Sequence, residues 1–323
     1  MDTRMSRLGI LAVAVALGSA APGFPAAADT TLVVGKANPE AESIMTVNVG
    51  YDAGLFKKHG LDLQIQDFTG GGSRIVQALT ANSIDVAIGA GTQMSFVAKG
   101  APMIAVCEST TTLPYFSIGL PWDSPIQTVD ELKGKKIGVS NPGTLTDWVA
   151  MELARKKGWG PNGVTRVAVG GGIAASTAAF RTHQIDAYVG GTASFLVEAQ
   201  RHVGRLLVPV SDFVDNMASG TLYASNRLVK TNPDALRAFL AAWIESTNFV
   251  LSHREAAVKS WMKVTGYPES VETRLYDIVK GMYNPSCRFD PQSLATLRRS
   301  FVELKALDSA PDMSKLYTEA YLP

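Results

Sequence analysis

The sequence predicts an α/β protein of two similar lobes, each a mainly parallel sheet flanked by helices, with a cleft between them. Three observations lead there. Short apolar runs rich in β-branched residues alternate with stretches of helical periodicity. Gly70-Gly71-Gly72 and Gly170-Gly171-Gly172 open matching units: 11 and 12 residues later come Ile84-Asp85 and Ile185-Asp186, then a short strand, then Gly91-Thr92 and Gly191-Thr192. Such a repeat argues for two copies of one structural unit. Beyond Asn232-Pro233 the strand signals stop and helical patterns take over.

Residues 31–35 form a short apolar run and read as a buried strand. A helix over 43–51 follows, with Glu40 and Glu42 near its positive end. Residues 55–60 add one turn stopped by Gly60. Leu61, Leu63 and Ile65 alternate as a strand, and Ile75, Val76 and Leu79 have helical spacing over 73–81. A strand at 85–88, a helix at 93–99 and a strand at 103–108 complete the first set. The second set starts near Thr128: strands at 136–139, 165–169, 187–189 and 205–208, with helices at 144–157, 174–182 and 192–201 between them. A single helix between successive strands implies parallel pairing. Helices at 235–251 and 255–264 are the clearest of the remainder.

A chain of 323 residues suggests about two domains. A hydrophobic fraction of 46% against 18% charged residues excludes a disordered chain. A net charge of +1, with no basic run, speaks against nucleic-acid binding. Residues 1–28 read as a signal peptide: Arg4 and Arg7 lead an apolar stretch of 11 residues, and Ala26-Ala27-Ala28 offers a cleavage site. Its removal leaves 28 basic and 28 acidic residues. No later segment is long and apolar enough to span a bilayer, so a soluble, monomeric, periplasmic protein is expected. Two cysteines exclude a disulfide scaffold and a four-cysteine zinc site. Cys107 falls in an apolar strand and Cys287 in a proline-bounded loop; export would permit a bridge, but they are expected to stay unbridged and to form no catalytic pair.

In open α/β sheets ligands sit beyond the carboxyl ends of the strands. Those ends carry Asn38, Gly71, Gly72, Ser73, Gly91, Thr92, Asn141, Thr144, Gly171, Gly172, Gly191 and Thr192. Their glycines admit a close ligand, and the helix starts they form favour an anionic group. Helix capping alone would explain Ser73, Thr92, Thr144 and Thr192. Arg74 lies in the first turn of a helix, where a cation opposes the dipole; a bound anion would offset that, and so would solvent or a pairing with Asp67. Trp148 could stack on a flat ligand or simply pack, while the dipole and capping explain Asp147. The sequence lacks a G-x-S-x-G elbow, a phosphate-binding G-x-x-x-x-G-K-[ST] loop and an H-E-x-x-H motif. His59, His183, His202 and His253 are scattered, so neither catalytic residues nor a metal site nor a cofactor is expected.

The stretch Gly50-Tyr51-Asp52-Ala53-Gly54-Leu55-Phe56-Lys57-Lys58-His59-Gly60-Leu61-Asp62-Leu63 resembles the "small residue-x-x-G-x-F-x-K-x-G-L-x-V" opening of ABC-transporter solute-binding proteins of the nitrate, taurine, alkanesulfonate and thiamine-precursor group. Gln77-Ala78-Leu79 through Ile84-Asp85-Val86-Ala87 is similar to its "A-L-x-x-G-x-I-D-V" segment, with Asn82-Ser83 where glycine is usual. Asp130-Glu131-Leu132-Lys133-Gly134-Lys135-Lys136-Ile137-Gly138-Val139 resembles its "D-L-K-G-K-K-I-G-V" start of the second lobe. The resemblance implies the two-lobed periplasmic binding protein fold, with hinges at 110–114 and 213–217. Lobe 1 would comprise residues 29–112 with 216–323, and lobe 2 residues 113–215, with Thr112 at the cleft. It implies a carrier that closes on a small solute and delivers it to an inner-membrane permease. The family's ligands are diverse; it is the helix starts at the strand ends that make an anionic solute, such as a sulfonate or carboxylate, the expectation. The alternative is an exported enzyme or sensor on the same fold. The pyrimidine-synthase branch carries a cysteine-rich motif absent here, and the desulfinase branch a cysteine after the first strand, where this chain has Lys36-Ala37-Asn38-Pro39.

Overall fold

A computed structural model describes residues 29–68 and 72–323. The expected signal peptide, Gly70 and Gly71 lie outside the described residues. The first sheet begins with β1 (Thr30–Lys36), then α1 (Thr46–Asp52), α2 (Leu55–Lys58), β2 (Leu61–Asp67), α3 (Gly72–Thr80), β3 (Val86–Gly89), α4 (Met94–Ala98) and β4 (Met103–Thr110). The chain crosses to a second sheet of β5 (Phe116–Pro121), β6 (Lys136–Val139), α5 (Leu145–Lys156), β7 (Thr165–Ala168), α6 (Ile173–Arg181), β8 (Ala187–Gly191), α7 (Thr192–Gln200) and β9 (Gly204–Pro209). It returns with β10 (Gly220–Ser225) and continues as α8 (Asn226–Thr231), α9 (Pro233–Ser252), α10 (Arg254–Thr265), α11 (Glu269–Val279) and α12 (Pro291–Glu303).

The sheets run β2-β1-β3-β10-β4 and β7-β6-β8-β5-β9. Place for place, β1 to β4 match β6 to β9, so the sequence repeat is a repeat of structure. β1 is parallel to β2 and β3, and β6 is parallel to β7 and β8. The fourth place in each sheet holds a strand arriving from the other one. β10 is antiparallel to β3 and β4, and β5 is antiparallel to β8 and β9. Both sheets are therefore mainly parallel with one antiparallel strand position each, as the expectation of mainly parallel sheets allows. The antiparallel strands β5 and β10 are not among the strands read from the sequence; each follows a crossover, with no α-helix between it and the preceding strand. The crossovers lie side by side. Met217 N–H donates to Thr111 O at 2.8 Å, and the Thr110 and Ser219 hydroxyls meet at 2.8 Å.

The long helix α9 packs on α1 and α2, at one part of a core that runs through both lobes. Asn232 caps it by accepting the Ala235 N–H at 3.2 Å, and Pro233 occupies its first turn. Leu236, Phe239, Leu240 and Trp243 then recur at helical spacing and are fully buried. Phe239 stacks on Phe56 of α2, with centroids 5.4 Å apart. A smaller cluster of Ala179, Phe180, Ile185, Tyr188 and Phe195 packs within the second lobe.

The expectation of free thiols is overturned. Cys107 on β4 and Cys287 are disulfide-bonded, with Cα atoms 4.5 Å apart. The segment after α11 runs back along β4: Glu108 N–H donates to Cys287 O at 3.0 Å, and Asn284 N–H to Ser109 O at 2.9 Å. That return brings the two sulfurs together, and nothing local in either stretch announces it. Asp147 is also more than a dipole partner. Its carboxylate accepts the Gly143 N–H at 2.9 Å and pairs with Arg166 at 2.6 Å.

Candidate functional site

A cavity of about 560 Å³ opens at the carboxyl ends of β1, β3 and β6, between the two sheets. The loop after β1 gives it Ala37, Asn38 and Ser43; the start of α3 gives Gly72 and Ser73; the turn after β3 gives Ala90, Thr92 and Gln93. From the second sheet come Phe116, Gly143, Thr144 and Leu145, with Tyr115 and Ser219 at the crossovers. The end of α12 and the residues after it add Phe301, Leu304 and Ala306. A loop at a strand end exposes backbone amides and leads into a helix start, so this is where a folded chain has free donors to offer.

The predicted residues divide. Asn38, Gly72, Ser73, Thr92 and Thr144 line the cavity; Gly71 lies outside the described residues. Arg74 is exposed and does not line it. Gly91 serves the backbone. Its N–H donates to Ala218 O at 3.1 Å, and a Cβ there would stand 2.0 Å from that oxygen. Thr112 contributes a carbonyl that accepts the Ser219 hydroxyl at 2.7 Å, and Asn141 one that accepts the Thr144 hydroxyl at 2.7 Å. Gly171 and Gly172 are exposed, Gly172 at φ +84 just ahead of α6. Gly191 pairs with Phe116 in the sheet. The buried Thr192 hydroxyl donates to Pro114 O at 2.8 Å and meets Ser117 at 2.6 Å. The hydroxyls of Thr144 and Thr192 thus turn to carbonyls and cap no helix amide.

Gln93 is the residue that local patterns did not reveal. It is buried, and its Oε1 accepts the Ala90 N–H. A Cβ at Gly72 would fall 1.9 Å from Gln93 Nε2, and one at Gly89 2.6 Å from Gln93 Oε1. Two glycines separated by 16 residues of chain therefore leave room for one side-chain amide at the cavity wall. That spacing was visible, but only the fold shows what fills it. Tyr115 and Phe116 add an aromatic wall, with centroids 5.0 Å apart. Burial pushes the Tyr115 phenol up to about 12, so it stays protonated.

Among the described residues that line the cavity, none carries a charged side chain. The nearest charges in sequence are turned away. Lys36, buried next to Ala37, binds Asp67 at 3.0 Å and Asn48 at 3.1 Å. Glu42, between Ala41 and Ser43, is buried; desolvation, with Glu272 and Glu40 adding repulsion, raises its pKa to about 8. No cluster of three potential metal-ligating side chains occurs among the described residues. The lining offers hydroxyls, amides, backbone donors and aromatic faces, groups that hold and orient a solute.

The model of the NMT1/THI5-like family matches residues 42–257. The chain belongs to the NMT1/THI5-like family. A Brucella abortus protein named only as a candidate binding protein is 31% identical over 214 residues, 65% of this chain, and the matched stretch spans 64% of that protein's length. A 4-amino-5-hydroxymethyl-2-methylpyrimidine phosphate synthase of Saccharomyces cerevisiae is 25% identical over 288 residues, covering 83% of this chain and 81% of that one. The periplasmic aliphatic sulphonate-binding protein of Escherichia coli superposes with a TM-score of 0.74 at 19% identity, over 89% of this chain and 92% of that one. That likeness shows the periplasmic binding protein fold. The relatives of this NMT1/THI5-like chain thus include both binding proteins and an enzyme.

Proposed function

We propose that this chain is the extracytoplasmic solute-binding component of an ABC importer, exported with residues 1–28 removed and acting as a monomer. It captures one small molecule in the cleft and hands it to a membrane permease. The observation that carries the reading is the cavity itself: both sheets and α12 wall it, with polar but uncharged side chains facing an aromatic surface. The moving parts are residues 29–112 with 216–323 on one side and 113–215 on the other. A solute that touches both favours the closed state by its differential contacts. The solute carries one acidic group, a sulfonate or carboxylate, held by backbone donors at the starts of α3 and α5. Its apolar part lies against Tyr115, Phe116 and Phe301.

Titration calorimetry on the full mature chain, with alkanesulfonates, nitrate, carboxylates and neutral heterocycles as probes, tests this. One bound molecule per chain is the expected result. Binding by cationic or neutral compounds alone would overturn the acidic group. The synthase relative favours a second reading, an exported enzyme on the same fold. Mass spectrometry of the bound probe after incubation decides between them: an unchanged molecule supports the carrier, a transformed one the enzyme.

A further inference from the structure

The fold joins the two lobes a further time beside the returning crossover, where Lys156 of α5 pairs with Asp215 at 2.6 Å. Helix α12 starts on the first lobe. Cys287, a few residues ahead of it, is bridged to β4; Glu108 accepts the Asp290 N–H at 2.7 Å; Asp290 accepts Asn216 Nδ2 on the returning crossover at 2.9 Å. The far end of α12 reaches α5 of the second lobe. There Trp148 Nε1 donates to Glu303 Oε2 at 2.7 Å, and Arg299 pairs with Glu152 at 2.9 Å while lying over the Trp148 ring at 5.7 Å. The same turns place Phe301 and Leu304 in the cavity wall.

We infer that α12 is an interlobe latch, and that Trp148 and Glu303 are affinity-setting positioning residues that do not line the solute cavity. The two contacts are unequal. Glu152 is also held by Arg155 of its own helix at 2.6 Å, so it keeps a partner if the lobes part. Trp148 is fully buried, and Glu303 is the acceptor of its indole N–H. Separation would exchange that hydrogen bond to a carboxylate for one to water and uncover part of a buried apolar ring, and both changes cost free energy. Closure is therefore favoured at Trp148, and a solute resting on Phe301 and Leu304 presses on the same helix. The purpose of the latch rests on the solute-capture reading; its test does not, because it needs no solute.

The test uses the full mature chain with spin labels on cysteines introduced at the exposed positions Asp62 and Lys133, one on each sheet's side. The native cysteines are bridged and take no label. Double electron–electron resonance reads the distance distribution. The expected result is a short, narrow distribution for the parent chain. In Glu303→Ala the population shifts toward longer distances by roughly ten- to hundredfold, as for loss of a hydrogen bond to a charged group. Trp148→Phe gives the same shift, and the double variant adds nothing further, because the pair acts as one contact. Glu303→Gln, which keeps an acceptor, retains much of the short population. Unchanged distributions in folded Glu303→Ala, or additive shifts in the double variant, overturn the latch. Should Trp148→Phe fail to fold, Glu303→Ala and Glu303→Gln carry the test, since Glu303 lies at a partly exposed helix end. A failed solute screen with shifted distances would sink the carrier reading and leave the latch standing.

Discussion

Cys107 and Cys287, 180 residues apart in the chain, are bonded to each other, and the bridge fastens the segment leading into α12 onto β4. Closing so long a loop restricts the unfolded chain. The double variant Cys107→Ser/Cys287→Ser should lose about 2–5 kcal/mol of stability in denaturant unfolding. Alkylation of the denatured chain without reductant should add no label, and two labels would contradict the bridge.

Buried carboxyls set the pH dependence. Folded Glu42 titrates at about 8 and Glu108 at about 7, burial being the first cause in both, against 4.5 for an exposed glutamate. Unfolding between those values releases protons. The stability these two contribute is complete below about 4.5 and is lost as pH rises through 7 and 8. At the acid end, Glu152 and Asp290 act oppositely. Burial raises Glu152, but Arg155 and Arg299 hold it below its ordinary value, and Asn216 chiefly lowers Asp290. Urea midpoints should therefore be highest near pH 5 and fall toward pH 8. Glu42→Gln should flatten the alkaline part of that curve, and an unaltered slope would contradict the assignment.

Gly91→Ala places a methyl group against a backbone oxygen that cannot rotate away. The expected cost is about 1–3 kcal/mol of stability, read from the thermal midpoint. Gly72→Ala meets first the Gln93 side chain, which can rotate away. It should cost less stability and act on solute affinity, because the displaced amide borders the cavity.

Arg74 separates local from tertiary reasoning. Its place in the first turn of α3 suggested an anion contact, yet the side chain is exposed and outside the cavity lining. Arg74→Ala should change stability by no more than about 0.5 kcal/mol and leave affinity for a sulfonate or carboxylate probe unchanged. A tenfold loss of affinity with an unchanged melting temperature would return Arg74 to the site.

The sequence by itself determined the elements whose signals are local. Strands β1 and β6, the helices opened by Gly72 and Gly172 and the capped helix α9 follow from apolar spacing, turn residues and caps, each decided within a few residues of chain. It also determined the repeat, and the strand-end loops that carry five cavity-lining residues: Asn38, Gly72, Ser73, Thr92 and Thr144. The tertiary structure alone decided what depends on segments distant in sequence. β5 and β10 lie antiparallel in sheets begun elsewhere in the chain; Gln93 fits between two glycines; Cys287 returns to Cys107; and α12 reaches from one lobe to the other. Thr192 shows the reason most plainly. It begins a helix after a Gly-Thr pair just as Thr92 follows Gly91, yet its hydroxyl is taken by Pro114 at the crossover while Thr92 faces the cavity. Equal local patterns meet unequal surroundings, because the crossovers and α12 break the symmetry that the repeated sequence implies.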